Sequence, residues 1–254
     1  MKRLILITCF LLMILSCSDS DKDRVADPIF LLIKVEETRS NGTKSKTNYI
    51  YSGNKLSLAV GSNGSYASYN YIGELISEIK NFDSDGRVIQ TMVMEYNDNS
   101  QLIKRITLQP LNVGAPSGRK SILTYNSDGT ISIVGYFGDL DSQNAIGETR
   151  KVYFENGEVS RFITYIEFGG TIITKANEYS YDDKNHVNRN TLGFDKISIY
   201  DGSVVGLAHN IISSTYTSSD TSSAVTKVVT YTYNAAGYPV TANSDGNNFR
   251  FYYK

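Results

Sequence analysis

One local pattern recurs along most of the chain and constrains its fold more than any other feature. A strand-like segment ends in an aromatic residue, Asn, Asp or Gly follows, and a second segment of alternating apolar residues begins. The pattern occurs in YIYSGNKLSL, YNYIGELISEI, FDSDGRVIQTM, EYNDNSQLIKRI, LTYNSDGTISIV, VYFENGEVSRF, YSYDDKNHV and YTYNAAGYPV. Gly reaches positive φ without steric cost and Asn or Asp bonds to the nearby backbone, so each copy predicts a tight turn between antiparallel strands.

The alternation on both sides of these turns predicts an all-β fold. Val229, Tyr231 and Tyr233 alternate with the residues between them, which is typical of a strand with two different faces. The chain has 19 tyrosines, and tyrosine suits half-buried strands. We therefore predict a single β-rich domain over residues 29–254, an antiparallel meander of about fifteen strands that forms a large curved sheet or partial barrel. Only residues 188–210 leave room for a helical turn or two.

The spacing of the turns predicts which of them lie together. Ser100, Gly129, Gly157 and Asn185 are separated by 29, 28 and 28 residues, and each interval holds two strands. Two strands return the chain to its starting side, so we expect these four turns at one end of the sheet.

The return connections are then expected at the opposite end. They are residues 109–119, residues 138–149 and the short Gly169-Gly170 pair. The first two are longer than a hairpin requires, and long loops on a regular scaffold often carry binding sites. The alternative is that both are tolerated insertions, because loop length adds little entropic cost.

The first sixteen residues have the layout of a secretory signal peptide. A positive head, Met1-Lys2-Arg3, precedes an apolar stretch that runs to Leu15. That stretch is shorter than the roughly 20 apolar residues that a transmembrane helix needs, and charged residues follow it. We therefore predict that residues 1–16 are removed.

The residues around Cys17 resemble the lipobox of bacterial lipoproteins, with Ile14, Leu15 and Ser16 before the cysteine. The resemblance implies that Cys17 carries a lipid and becomes the first residue of the mature protein. Cys9, the second of the 2 cysteines, lies in the removed segment, so Cys17 would have no disulfide partner. The alternative is an ordinary signal peptide with a cysteine near its end by chance.

Residues 17–28 are predicted to be the lipidated cysteine and a flexible acidic tether, because the sequence SDSDKD has little apolar surface to bury. The segment also resembles the acidic export signal of surface lipoproteins from Bacteroidetes-type bacteria, although a simple solvated spacer has the same composition. These features predict a protein attached to the outer membrane by lipid, with the cell surface favoured over the periplasmic side.

The hairpins resemble the tyrosine-aspartate (YD) repeats of Rhs-type surface proteins. The whole layout is similar to a family of Bacteroidetes lipoproteins of unknown function with a porin-like fold, through the early LLIKV strand and the closing YTYNAAGYPVT and FRFYYK segments. A transmembrane barrel needs a continuous lipid-facing apolar band. Because charged residues interrupt the strands, we predict that the resemblance concerns shape and that the chain is not a transmembrane barrel. These residues are Lys104, Arg105, Lys151, Arg161 and Glu178.

The charged residues do not predict a catalytic, metal or nucleic-acid site. The net charge is −1, and nucleic-acid binding needs a concentrated basic face. The 2 histidines, His186 and His209, lack paired metal-ligand spacing. Asp83-Ser84-Asp85-Gly86 begins like a calcium loop but lacks the closing glutamate, which favours a plain turn. Neighbouring acids such as Asp182-Asp183 would point to opposite faces of a strand.

The sequence therefore predicts a lipid-anchored envelope protein that needs no cofactor and works as a non-enzymatic binding or structural module. Its partners would be the membrane, through the anchor, and a glycan or an outer-membrane protein. The alternative is a hydrolase or lyase that acts on polysaccharide or peptide, with a site assembled from distant strands.

We expect Cys17→Ser to release the protein from membranes, because the serine cannot receive the thioether-linked lipid. Fractionation of cells that express each form tests this, with Cys9→Ser as the control that keeps the lipobox cysteine. A Cys17→Ser protein that stays in the membrane fraction would contradict the lipid anchor.

Overall fold

The computed structural model describes residues 29–110, 115–200, 203–204 and 208–254. The predicted signal peptide, Cys17 and the tether lie outside these residues. The described chain forms eighteen strands and one short helix. They are β1 Leu32–Thr38, β2 Lys44–Ser52, β3 Lys55–Gly61, β4 Tyr66–Ile72, β5 Leu75–Phe82, β6 Val88–Tyr96, β7 Leu102–Gln109, β8 Ser117–Tyr125, β9 Ile131–Gly138, β10 Gln143–Glu155, β11 Glu158–Phe168, β12 Thr171–Tyr181, α1 Phe194–Ile197, β13 Ile199–Tyr200, β14 Ser203–Val204, β15 Ile211–Ser218, β16 Val225–Tyr233, β17 Pro239–Ser244 and β18 Asn247–Tyr253.

Sixteen of the described strands close into one antiparallel barrel, so the predicted curved sheet or partial barrel is wrong. The first strand, β1, pairs with the last, β18, from Leu32 opposite Tyr253 to Thr38 opposite Asn248. Leu31 and Lys254 extend this pairing with two backbone hydrogen bonds of 3.2 and 3.0 Å. Closure pairs the backbone groups that an open sheet would leave exposed at its two edges. The remaining strands, β13 and β14, form a separate two-stranded sheet.

The recurring Asn or Asp begins a five-residue turn with a fixed hydrogen-bond pattern. At Asn97 the side-chain oxygen accepts from the amides of Asn99 and Gln101, both at 3.0 Å. The carbonyl of Asn97 accepts from the amide of Ser100 at 2.9 Å. Ser100 has a positive φ of 58°, and Gly129 holds the equivalent position in the β8–β9 turn with φ of 80°. The turn chemistry predicted from sequence is therefore confirmed.

The recurring tyrosine ties each hairpin to the one before it. Tyr96, at the end of β6, donates its hydroxyl hydrogen to the carbonyl of Ile76 near the start of β5, at 2.7 Å. Ile76 is fully buried. Burial raises the pKa of Tyr96, so the hydroxyl stays protonated and keeps donating at physiological pH. Equivalent bonds join Tyr125 to Leu102, Tyr181 to Val159, Tyr231 to Ile211 and Tyr253 to Pro239.

The two ends of the barrel differ. We call residues 182–210 the plug; their described parts connect β12 to β15 and enter the barrel at what we call the plug end. Leu192 of the plug donates its amide to the carbonyl of Asn54, at 3.0 Å, in the β2–β3 turn of that end. Phe194 and Ile197 of α1 pack on the apolar core. The opposite end, where the β3–β4 and β5–β6 turns lie, is the cavity end.

The described part of the plug contains α1, which confirms the expected helical turn within residues 188–210. No helix among the described residues is long and apolar enough to cross a membrane.

The wall has an apolar inner face and a charged outer face around the plug. Met92, Met94 and Ile133 are buried inside. On the outer face, Lys104 and Glu95 form an ion pair of 2.6 Å across β6 and β7. The register also places Lys151, Arg161 and Glu178 outside. Arg105 differs from these residues, because it pairs with Met94 and is buried on the inner face.

The two predicted long connections lie at the same end, the cavity end, because each links an odd strand to the next even strand. Gly118 of one pairs with Gly138 of the other. Both are shorter than expected. In the first, β7 continues to Gln109 and β8 already starts at Ser117. In the same way β10 starts at Gln143 and leaves only residues 139–142 as a loop. Residues 111–114 lie outside the described chain.

We expect Gly129→Val to lower the free energy of unfolding by about 1–3 kcal/mol, because a β-branched side chain is strained at positive φ. An added Cβ would meet nothing within 4 Å, so the loss would come from the backbone and not from a clash. Ser127→Val in the same exposed turn, at negative φ, is the matched control and should change stability by less than about 0.5 kcal/mol. Denaturant unfolding measures both, and equal losses would contradict the assignment.

Candidate functional site

The inner wall near the cavity end is lined by small and amide side chains in place of the large apolar residues found around the plug. A cavity of about 470 Å³ lies against it. Ala59 pairs with Ala67, which pairs with Asn81, so these residues form a row across β3, β4 and β5. The row continues to Gln90 and towards Gln109. Alanines leave space in the lumen that larger residues would fill.

The amides in this row are ordered by one another. Asn81 donates its side-chain N–H to the side-chain oxygen of Gln90 at 2.8 Å. Each amide group still has further donor or acceptor capacity, because a primary amide carries two N–H bonds and a carbonyl oxygen with two lone pairs. The row can therefore offer both donors and acceptors to a ligand that carries hydroxyl groups.

Several basic residues lie on the inner face of the barrel strands. Arg150 pairs with Ile133 and Arg105 with Met94, which places both arginines on the face of the buried core. The described inner face includes five basic and two acidic side chains, of which Arg105 and Arg150 lie level with the core residues Met94 and Ile133, and Lys227 forms an ion pair of 3.9 Å with Asp245. These side chains are Arg105, Arg119, Arg150, Lys175 and Lys227, with Glu37 and Glu148.

Arg119 is the most accessible of the three inner arginines. Its side chain is 37% exposed, against 4% for Arg150. The guanidinium lies 4.7 Å from the centre of the Phe137 ring, a cation–π contact that orients it. The Glu148 carboxylate is in close contact with Arg150 but 3.9 Å from Arg119. Glu148 is therefore closer to Arg150 than to Arg119.

A larger depression of about 650 Å³ lies on the barrel surface between β1, β2 and β18. Its lining includes Glu36, Lys46 and Arg250, which face outward by register. Its mixed charge and position outside the lumen distinguish it from the cavity.

The acidic groups at the plug end hold the plug to the barrel. Glu158 is buried and its carboxylate accepts from the amides of Ala208 and His209, both at 2.8 Å. Asp182 accepts from the amide of Asn210 at 3.0 Å and from the Tyr233 hydroxyl. Burial and the Asp182 carboxylate raise the pKa of Tyr233. The hydrogen bonds of these two carboxylates therefore stabilise the structure.

The residues considered as metal ligands are placed in structural roles. His186 is buried in the plug, and its Nδ1 accepts from the amide of Asn188 at 3.3 Å. His209 contacts Glu158 through Nδ1 at 3.1 Å. Asp83 accepts from the amides of Asp85 and Arg87 in the β5–β6 turn. Within the described residues, no group of three or more His, Cys, Asp or Glu side chains is arranged to hold a metal ion. Cys17 lies outside the described chain.

The inner basic residues were not singled out from sequence, although a signal was present. In β8, Arg119, Ser121 and Leu123 alternate in period two and share one face. Leu123 is buried, so Arg119 must also face inward. Arg150 is related in the same way to Val152 in β10. In β8 and β10 this phase identifies the inner arginine, whereas in β7 a register shift near Leu102 places Lys104, which is in phase with Leu102, on the outer face.

Comparison with known proteins supports the fold. No family model and no curated protein matches the chain. A crystal structure of a porin-like protein from Bacteroides vulgatus matches with a TM-score of 0.62 and 13% identity, covering 89% of this chain and 99% of that one. A porin-like protein from Bacteroides uniformis matches with a TM-score of 0.52 and 13% identity, covering 89% and 96%. The expected porin-like fold is confirmed, whereas the relation to YD repeats and to a lipoprotein family stays a prediction.

The burial of His186 should make the protein less stable in acid. Burial lowers its pKa to about 4, against an ordinary 6.5, although Glu158 and Asp182 act in the opposite direction. Between these values the unfolded chain binds a proton that the native histidine does not. The free energy of unfolding should therefore fall as pH drops from 6.5 to 4, with a contribution from His186 on the order of 3 kcal/mol.

Denaturant unfolding at several pH values measures this dependence. His186→Asn removes the titrating group and retains an acceptor near the Nδ1 position, so stability should fall less between pH 6.5 and 4 than in the unmodified protein. His209→Asn is the control and should keep the His186 contribution. If His186→Asn left the pH dependence unchanged, the assignment would be wrong.

Proposed function

We propose that this protein is a non-enzymatic binding protein of the cell envelope that holds a small polar ligand in the cavity half of its barrel. The observation that carries the proposal is the division of the lumen. The plug and the apolar core around it occupy one half, and small and amide side chains line the other. Concave sites with a few well-placed polar groups are the usual form of ligand sites.

Two features favour a receptacle over a channel. A barrel of sixteen strands is wide enough for an aqueous channel, but the plug occupies the lumen at one end. The outer wall also carries ion pairs such as Lys104–Glu95 and Arg161–Glu178, which are more stable in water than against hydrocarbon.

The proposed lipid anchor would orient the cavity. Leu31, near the first described residue, pairs with Lys254 at the plug end, so a tether that leads to Cys17 starts there. A lipid on Cys17 would hold the plug end nearer the outer membrane and turn the cavity end away from it. A ligand from the surroundings, such as a glycan, or an outer-membrane partner would then approach the cavity end.

Filling the cavity should abolish ligand binding without unfolding the barrel. Ala67 lines the cavity on the inner face of β4, so Ala67→Phe places a ring in the proposed ligand space. Ser68→Phe is the matched control, because Ser68 is the next residue and its register with Leu58 and Lys80 places it outside. The mature domain of each form would be screened on a glycan array and with a small-molecule library by thermal shift.

We expect ligands of the unmodified protein to be retained by Ser68→Phe and lost by Ala67→Phe, with both variants giving the circular dichroism of a folded barrel. Binding that survives in a folded Ala67→Phe protein would move the site out of the cavity. A mature domain that binds nothing in either screen would contradict the proposed function.

A further inference from the structure

We infer that the ligand of the cavity is a neutral oligosaccharide, whose hydroxyl groups bond to the amides of Asn81, Gln90 and Gln109. The inference rests on the proposed function and specifies its ligand class. The observations that carry it are the neutral lining of the cavity, the alignment of the amides across three strands, and the alanines and tyrosine that continue the same row.

Every described residue that lines the cavity is neutral. Hydroxyl groups come from Thr47 and Ser65, amides come from Asn81, Gln90 and Gln109, and the remaining lining residues are glycine, alanine, isoleucine and aromatic residues. A charged ligand would exchange its hydration for contacts with neutral groups, which costs more free energy than the same exchange for a hydroxyl group. This lining therefore favours a ligand whose polar groups are uncharged.

The amides follow one another across β5, β6 and β7 on the inner wall. Asn81 pairs with Gln90. Thr91 pairs with Leu108, so the next residue of each strand, Gln90 and Gln109, lie opposite each other. Neighbouring strands lie about 4.8 Å apart, so the amides span about 10 Å, which is longer than one sugar ring and suits an oligosaccharide. Primary amides both donate and accept, as hydroxyl groups do.

The row continues on its other side with small residues and a tyrosine. Tyr49 pairs with Ala59, and Ala59 pairs with Ala67, so the tyrosine lies on the inner face beside the recess that the alanines leave. Burial raises the pKa of Tyr49 to about 12, so its hydroxyl stays protonated at physiological pH. A sugar ring has apolar C–H groups on its faces and hydroxyl groups at its edge. Alanine methyls and an aromatic ring beside a line of amides provide both kinds of contact.

Calorimetry on the mature domain with four trisaccharide probes tests the inference. The probes are neutral maltotriose, neutral cellotriose, anionic trigalacturonate and cationic triglucosamine. We expect at least one neutral probe to bind about tenfold or more tightly than both charged probes. Its affinity should change by less than about twofold as NaCl is raised to roughly 0.5 M, because salt screens interactions between charges.

Asn81→Leu should weaken binding of the neutral probe by about tenfold or more, because it removes hydrogen bonds to the ligand at nearly constant side-chain volume. Asn70→Leu is the matched control. Asn70 pairs with Glu78 and donates to its carboxylate at 2.8 Å, as Asn81 donates to Gln90, but on the outer face. Gln109→Leu is a second cavity variant with the same expected loss, which keeps the test decisive if Asn81→Leu does not fold.

Each other outcome identifies what fails. If neither neutral probe binds, or if a charged probe binds within about tenfold of the better neutral one, the inference is overturned. Equal binding by the folded cavity variants and by Asn70→Leu would also overturn it, because the ligand would not contact the amides. Ligands of another class whose binding is lost in Ala67→Phe would leave the proposed function standing and overturn only the neutral saccharide. Circular dichroism and thermal unfolding establish that each variant is folded.

Discussion

The pairing of β1 with β18 is the constraint on which the rest of the structure depends. Every other strand pair joins neighbours in sequence, or strands separated only by the plug, and forms within a local stretch of chain. The β1–β18 pair instead brings together residues more than two hundred positions apart and converts a meander with two exposed edges into a closed wall. Closure creates an enclosed lumen, which must be filled either by protein or by solvent and ligand.

The lumen is occupied by the plug at one end of the barrel and left open as the cavity at the other. Side chains alone fill a barrel of about eight strands, whereas sixteen strands leave a wide interior. At one end the chain fills this space with its own residues, which are held by the buried Glu158 and Asn210 and by the partly buried Asp182. At the other end the wall changes from Met, Ile and Leu to Ala, Asn and Gln, which leaves room. The same sheet therefore supplies a rigid base and an enclosed polar volume.

The local structure could be predicted from sequence because its causes are local. The turn at Asn97 and the strands around it depend on residues within one hairpin, and the placement of the two return connections at one end follows from counting strands. Closure could not be predicted, because no residue pattern in LLIKV or FRFYYK indicates that the two segments pair with each other. The lengths of the connections were overestimated because residues 143–149 form strand despite their polar composition. The inner site was missed because Arg105 and Lys104 look alike in sequence, and only register separates the inner one from the outer one.

Because the first and last strands pair, the order of the strands along the chain could change without changing the barrel. Leu31 and Lys254 are hydrogen-bonded to each other, so the barrel itself does not fix which strand comes first. A circular permutant that joins these residues by a short link and is opened at Gly169-Gly170 would keep every strand pair, and its new start would lie at the cavity end. The orientation of the cavity relative to anything attached at the start of the chain is thus a property of connectivity, which evolution or a designer can change without changing the wall.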